Sequence, residues 1–297
     1  MNKVLILAFG LLIFAACKSR QNTGVQSATF PEFDTEGHRG ARGLMPENTI
    51  PAMYKAIDLG VSTIEMDAHV TSDGLVVLAH DDYINPLFSL DPEGKSIPKS
   101  DVKKYVLHQM TYDELRRFDV GSKFYDKFPQ QKKMVVHIPL LADLIDSVQL
   151  YLKKNKKAQV FYNIETKSSP AGDRLLQPEP EAFVEKIMSV INAKKITPWV
   201  IVQSFDPRTL QVLNKKYPQV KTSYLTDKGI LEENLQKLGF QPAIYSPNYK
   251  MVDAGLVKEC HKRGMKVIPW TVNTREEIIK LKGLGVDGII SDYPDLF

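Results

Sequence analysis

The chain has 297 residues, a formal net charge of +4 and a hydrophobic fraction of 43%, which describes a soluble globular body able to bury a large core. Its basic residues fall as Lys pairs such as Lys132-Lys133, Lys153-Lys154 and Lys215-Lys216 without interleaved aromatics, so nucleic acid is excluded as a natural partner. Two cysteines, Cys17 and Cys260, rule out a disulfide framework, and Cys260 is expected to be a buried thiol.

In chain order, Lys3 and the apolar run from Val4 to Ala16 read as an export signal over residues 1–16. The run is shorter than the roughly 18 apolar residues that a membrane span needs. It ends in Phe14-Ala15-Ala16-Cys17, which resembles a bacterial lipoprotein processing site with Phe14 at a usually aliphatic position. Cys17 is then the lipidated first residue of the mature chain, and residues 17–30 form a polar tether. This reading places the protein in the bacterial cell envelope, periplasmic or at the outer membrane, meeting the membrane through its anchor alone. Plain secretion, with Cys17 incidental, is the alternative.

Residues 31–297 read as one domain. Short β-rich runs at Glu36–Arg39, Thr63–Val70, Val160–Thr166, Val200–Phe205, Thr222–Leu225, Ala243–Ser246, Val267–Val272 and Asp287–Ser291 alternate with amphipathic stretches. Eight such strands suffice to close an α/β TIM (β/α)8 barrel. The intervening helices carry start and stop signals: Asp206-Pro207, Thr274 with Glu277, and the closing glycines Gly264, Gly283 and Gly285. Residues from about 83 to 157 break the rhythm with dense Pro, Gly and Lys, and read as an insertion after the second-strand hairpin. A helix near Leu141–Tyr151 brings the chain back, and an excursion beside a catalytic face suits a substrate-shaping lid.

The chemistry concentrates in the stretch from Ile64 to Asp81. Asp73-Gly74 between two alternating runs signals a two-residue hairpin turn, which would set Ser72 opposite Leu75 and His80 opposite Asp67. Alternation then puts Glu65, Asp67 and His80 on one face, and His69 with them. Carboxylates lining a barrel are costly unless paired, and a metal ion is an effective partner. Glu165, in Asn163-Ile164-Glu165-Thr166-Lys167, joins them if the second and third barrel strands are neighbours. Three oxygen ligands suit Mg²⁺ or Ca²⁺ better than zinc. His38-Arg39-Gly40 ends the first strand at the same rim. Two imidazoles beside a cation form an acid–base pair suited to cleaving a phosphodiester, with the cation and Arg39 neutralising phosphoryl charge. Glu47 reads either as a further polar contact near the metal or as a first-turn acid of a helix.

Taken in order, His38-Arg39-Gly40, Pro46-Glu47-Asn48-Thr49, Glu65-Met66-Asp67, Asp73-Gly74, His80-Asp81, Asn163 to Lys167, Val202-Gln203-Ser204-Phe205, Trp270-Thr271-Val272-Asn273, Gly285 to Gly288 and Ser291-Asp292 resemble the glycerophosphodiester phosphodiesterase family. The resemblance covers nearly all of the chain after Thr35. It implies His38 and His80 as general acid and base, and Glu65, Asp67 and Glu165 as ligands of a divalent metal. It also implies Arg39 and Lys167 as contacts to phosphate and glycerol, with Gln203 and Trp270 shaping the glycerol pocket. By residue type alone, Trp270 would equally serve as a core aromatic, Gln203 as a strand-end polar residue and Lys167 as a surface lysine. The implied reaction is hydrolysis of small glycerophosphodiesters to sn-glycerol 3-phosphate and an alcohol. Two alternatives remain: a lysophospholipase D or sphingomyelinase D-like activity, and a catalytically silent polyol-phosphate-binding lipoprotein. The chain departs from the family pattern chiefly between Asp82 and Pro139, which leaves the leaving alcohol open.

Overall fold

A computed structural model describes residues 28–297, so the export signal, Cys17 and most of the tether lie outside the described residues. The chain enters through β1 (Asp34–Gly37), α1 (Ile50–Asp58), β2 (Thr63–Val70) and β3 (Val76–Leu78). After a long excursion carrying the single-turn α2 (Tyr112–Leu115), regular βα units resume at α3 (Leu141–Lys154) and β4 (Phe161–Thr166). They continue with α4 (Pro180–Lys194), β5 (Val200–Ser204), α5 (Pro207–Lys216), β6 (Lys221–Thr226) and α6 (Leu231–Leu238). β7 (Ile244–Pro247), α7 (Ala254–Lys262), β8 (Lys266–Val267), α8 (Arg275–Gly283) and β9 (Gly288–Ser291) complete the domain.

All strands but β3 run parallel, in the order β8-β7-β6-β5-β4-β2-β1-β9. Backbone bonds from Asp287 N–H to the Val267 carbonyl (2.8 Å), Ile290 to Pro269 (3.0 Å) and Val272 to Ile290 (2.9 Å) bring the last strands together. The result is the expected TIM barrel. The seventh predicted strand is shorter than its apolar run, because Pro269 has no N–H to give to a ladder. The helices start where their capping residues stand: Thr49, Asp206, Asp253 and Thr274 each accept a first-turn backbone N–H. Cys260 is fully buried, and burial pushes its thiol up to about 12.

Two sequence expectations change. The hairpin of β2 and β3 has a three-residue loop, Ser72-Asp73-Gly74, closed by Thr71 N–H to the Leu75 carbonyl at 3.0 Å. Gly74 occupies the left-handed region at φ 80, the conformation a three-residue hairpin needs at its last loop position. The register pairs Ala68 with Leu78, one residue off the expected pairing, so Asp67 stands opposite Ala79 instead of His80. His80 lies beyond the end of β3, where the chain has left the ladder.

The second change concerns α3. Its buried stripe of Leu141, Leu144, Ile145, Val148 and Leu152 belongs to the same core as the barrel strands, so it is a helix of the ring. The segment outside the barrel therefore ends near Leu140 instead of Lys157. That segment has its own small core of Val77, Ile84, Ile97, Leu107, Leu115, Phe118, Val120 and Ile138.

Leu144→Ala should destabilise the fold by about 2–5 kcal/mol in denaturant unfolding, because a fully buried leucine leaves a cavity. Leu150→Ala on the exposed face of the same helix should stay within about 0.5 kcal/mol of the parent. Equal effects at the two positions would remove α3 from the ring.

Candidate active site

Glu65 and Asp67 point inward from β2, and Glu165 does so from β4, whose register sets Asp67 beside Glu165. Carboxylate oxygens of the three lie within 4.8 Å of one another, all buried. Asp67 is held from one side by Asn48, whose Nδ2 donates to Asp67 Oδ2 at 2.8 Å while Asp67 N–H donates to Asn48 Oδ1 at 3.1 Å. Arg39 N–H donates to Glu65 Oε2 at 2.7 Å, and Gln203 Nε2 donates to Glu65 Oε1 at 2.9 Å. Lys167 Nζ lies 2.9 Å from Glu165 Oε1 and 3.7 Å from Asp67 Oδ1.

The charges do not balance. Burial, with the neighbouring charges of Asp67 and Glu165, pushes Glu65 well above the usual carboxylate range. Burial also pushes Asp67 upward, but Arg39 and Lys167 outweigh it and hold this carboxyl well below that range. Glu165 is raised by burial, partly offset by Lys167. Asp67 Oδ1 is buried with no hydrogen-bond partner among the described residues. An unpartnered oxygen inside an all-oxygen, net-negative cluster fits a hard divalent cation, so Glu65, Asp67 and Glu165 can hold one.

The two histidines reach this cluster from different sides. His38 follows β1 in a tight turn that Gly40 makes possible: its φ is 82, and a Cβ there would sit 2.6 Å from the Ala52 carbonyl carbon. His38 Nδ1 bonds to Asp292 Oδ1 at 2.6 Å, which leaves Nε2 facing Glu65 at 4.0 Å. Burial, helped by the charges of Arg42 and Arg39, pulls His38 down to about 4 against the opposing pull of Asp292. Asp292 is itself gripped by Arg42 (2.8 and 3.0 Å) and Asn273 (2.7 Å). His80 Nδ1 bonds to Asp81 Oδ1 at 3.0 Å, and Asp81 also accepts from Asn85 Nδ2 at 2.6 Å. His80 is the more accessible imidazole, with 35% of its side chain exposed against 12% for His38.

Both histidines line one cavity of about 360 Å³ with Arg39, Glu165, Lys167, Gln203 and Trp270. The excursion contributes Asn85, Phe88, Tyr125 and Lys127 to the same wall. Trp270 is fixed by Nε1 donating to the Ser246 carbonyl at 2.9 Å and stands edge-on to Phe205, ring centres 5.2 Å apart. Gln203 lines the cavity, as expected of a residue shaping it, and its amide is engaged by Glu65 and by Asn163. Glu47 lies before the N-cap of α1, so it is no first-turn acid; its Oε1 accepts from Arg39 NH1 at 2.7 Å. His69 touches the His80 carbonyl oxygen at 3.4 Å, and burial pulls it down to about 4.

Sequence reasoning missed Asp292, Asn48 and Arg42 as working parts of the site. Asn48 carried a signal in its neighbourhood, since a helix start beside His38-Arg39-Gly40 must sit close to the first strand's end. Asp292 bonds His38 across 254 positions of sequence; Ser291-Asp292 stands among the family-like motifs, but nothing local shows that its partner is His38.

Comparison with known proteins agrees with this geometry. A model of the glycerophosphoryl diester phosphodiesterase family matches residues 38–296. A glycerophosphodiester phosphodiesterase of Caldanaerobacter subterraneus is 30% identical, over 87% of this chain and 93% of the relative. One from Bacillus altitudinis is 31% identical, over 87% of this chain and 94% of its own length. Among solved structures, a putative glycerophosphoryl diester phosphodiesterase from Silicibacter pomeroyi superposes with a TM-score of 0.78 at 28% identity, covering 90% of this chain and 92% of that one. With two imidazoles and an acidic triad meeting in one barrel-mouth cavity, the chain belongs to the glycerophosphoryl diester phosphodiesterase family and hydrolyses glycerophosphodiesters.

Proposed function

We propose that His38 is the general base and His80 the general acid of this hydrolysis, with Glu65, Asp67 and Glu165 holding Mg²⁺ or Ca²⁺. The observation that carries the reading is the paired arrangement of the imidazoles. Each Nδ1 is taken by a carboxylate, so each Nε2 is left for the cavity they share. The deeper ring, whose Nδ1 is held by Asp292 so that the imidazolium formed on taking a proton is stabilised, suits removal of a proton from the attacking hydroxyl, whether of water or of the glycerol itself. The more exposed ring can take a proton from solvent and deliver it to the leaving oxygen.

A bound divalent cation supplies neutralisation of charge on the non-bridging phosphoryl oxygens. Arg39 and Lys167, both largely buried, add fixed positive charge at the cavity, where it acts more strongly than it would in water. Trp270 and Phe205 offer an apolar wall for the glycerol carbons. The products are sn-glycerol 3-phosphate and an alcohol.

A second reading, cleavage of acylated substrates, is favoured by one observation. A groove of about 850 Å³, lined by Tyr83, Pro86, Leu87, Val102, Val106 and Leu176, shares Asn85 with the catalytic cavity. Outside the described residues, we further propose that Cys17 carries a lipid that holds the enzyme in the cell envelope.

Chelation should abolish turnover of glycerophosphocholine, and Mg²⁺ or Ca²⁺ should restore it. Replacing either histidine by alanine should lower kcat by about 10²–10⁴-fold. With a nitrophenyl leaving group, which departs without a proton, His80→Ala should regain most of its rate and His38→Ala should not; the opposite pattern would exchange the roles. Comparing kcat/KM on glycerophosphocholine and lysophosphatidylcholine decides the second reading, which fails if the acylated substrate is slower by tenfold or more. For the anchor, Cys17→Ser should move the protein from the membrane to the soluble fraction, and retention at the membrane would refute lipidation.

A further inference from the structure

We propose that Glu36 is a positioning residue for the cation site: through Asn163 it fixes the direction of the Gln203 amide, and thereby holds Glu65 Oε1 as an acceptor. The proposal rests on the cation reading given above and deepens it.

Four buried side chains run through the barrel interior from the cavity lining at Gln203. Asn163 Nδ2 donates to Glu36 Oε2 at 2.7 Å and to Gln203 Oε1 at 3.0 Å, and Gln203 Nε2 donates to Glu65 Oε1 at 2.9 Å. Glu36 and Glu65 are 0% exposed, Asn163 1% and Gln203 2%, so bulk solvent does not compete for these bonds. An amide can present either end to a neighbour, so two amides in series have no direction of their own. Their direction must come from a group that can only accept.

Glu36 presents such an acceptor at Oε2. Its Oε2 accepts whether the carboxyl is ionised or carries a proton on the other oxygen. Asn163 must therefore turn its NH₂ toward Glu36, and the second N–H of the same nitrogen meets Gln203 Oε1. The NH₂ of Gln203 is then left for Glu65. With the amide reversed, a carbonyl would face the Glu65 carboxylate, and a proton would be needed between them on an atom meant for a cation.

The lower end of the relay is closed as well. Asp34 Oδ1 accepts from Ser62 Oγ and Thr63 Oγ1, both at 2.6 Å. Asp34 Oδ2 and Glu36 Oε1 are buried with no other partner among the described residues, and the two carboxyls are hydrogen-bond neighbours. Burial, with Asp34's charge added, pushes Glu36 well above the usual carboxylate range. One proton on Glu36 Oε1, shared with Asp34, satisfies both oxygens and leaves Oε2 as the acceptor Asn163 requires.

Calorimetric titration of the full-length protein in detergent with Mg²⁺ and with Ca²⁺, without substrate, reads the cation site directly. Glu36→Leu should bind the cation about 10–100-fold more weakly, with kcat recovered at saturating cation, as expected when an outer partner of a metal ligand is lost. Glu36→Gln should stay within about threefold of the parent, because its carbonyl can face Asn163 and its NH₂ can face Asp34. Should the leucine variant fail to fold by near-ultraviolet circular dichroism, Glu36→Met makes the same deletion with a more adaptable side chain. Parental affinity in the folded apolar variant overturns the proposal, as does a loss in Glu36→Gln equal to that in the apolar variant. If the parent itself binds no cation, the cation reading falls and the relay falls with it.

Discussion

Three buried carboxylates with oxygens within 4.8 Å of one another repel, and the rest of the site is arranged around that repulsion. At an effective dielectric near 20, each ionised pair at that separation costs on the order of 3 kcal/mol. No single neighbour offsets this. Arg39 and Lys167 lie against Asp67 and Glu165, and Asn48 and Gln203 give neutral N–H groups to Asp67 and Glu65. Arg39, however, also serves Glu47. Arg42 also reaches Glu47 at 3.8 Å but is committed to Asp292, so counted with Asp292 five carboxylates share three side-chain cations and two positive charges are wanting. One divalent ion held by the triad would meet that deficit without a further side chain having to enter a closed barrel.

Holding like charges together requires a scaffold that does not yield, and the parallel barrel provides it. Asp67 and Glu165 stand side by side because β2 and β4 pair in that register, and neither strand can slide without breaking the ladder on both flanks. His38 and Asp292 come from opposite ends of the chain, yet β1 and β9 are neighbours whose pairing runs from Asp34 with Gly288 to Gly37 with Ser291. His38 and Asp292 each follow immediately, so the 2.6 Å contact between them is set by strand register more than by side-chain reach.

The same distinction explains what the sequence disclosed. Alternation along Thr63–Val70 and Phe161–Thr166 is a local property, and with the TIM-barrel expectation it was enough to bring Glu65, Asp67 and Glu165 together. Glu36, by contrast, sits in a four-residue strand too short to show a pattern, and nothing nearby marks it as facing Asn163 across 127 positions. Gln203 is placed at the glycerol pocket by the family resemblance and does line the cavity, but its bonds to Asn163 and Glu65 inside the barrel carry no signal in the sequence. The turn at Asp73-Gly74 shows the limit of a local rule. The dipeptide signals a hairpin correctly, yet whether its loop holds two or three residues depends on Thr71, whose hydroxyl takes the Leu75 N–H at 3.0 Å and donates to Asp73.

That one-residue difference should have turned His80 away from Asp67, and it does not, because His80 is no longer on a strand. The ladder ends at Leu78, and Ala79 N–H makes a last bond to the Asp67 carbonyl at 3.0 Å before the excursion begins. His80 is thus the root of the excursion as much as the end of the hairpin. Asp81 holds His80, Asn85 holds Asp81, and Asn85 lines both the catalytic cavity and the groove beside it. On the proposed roles, the base and the cation ligands are therefore fixed by the barrel, while the acid is fixed by the segment that also lines the cavity through Asn85, Phe88, Tyr125 and Lys127. A substitution in that segment can then alter both which alcohol fits and how well it is protonated, whereas its effect on Glu65, Asp67 and Glu165 must pass through a closed ring of strands.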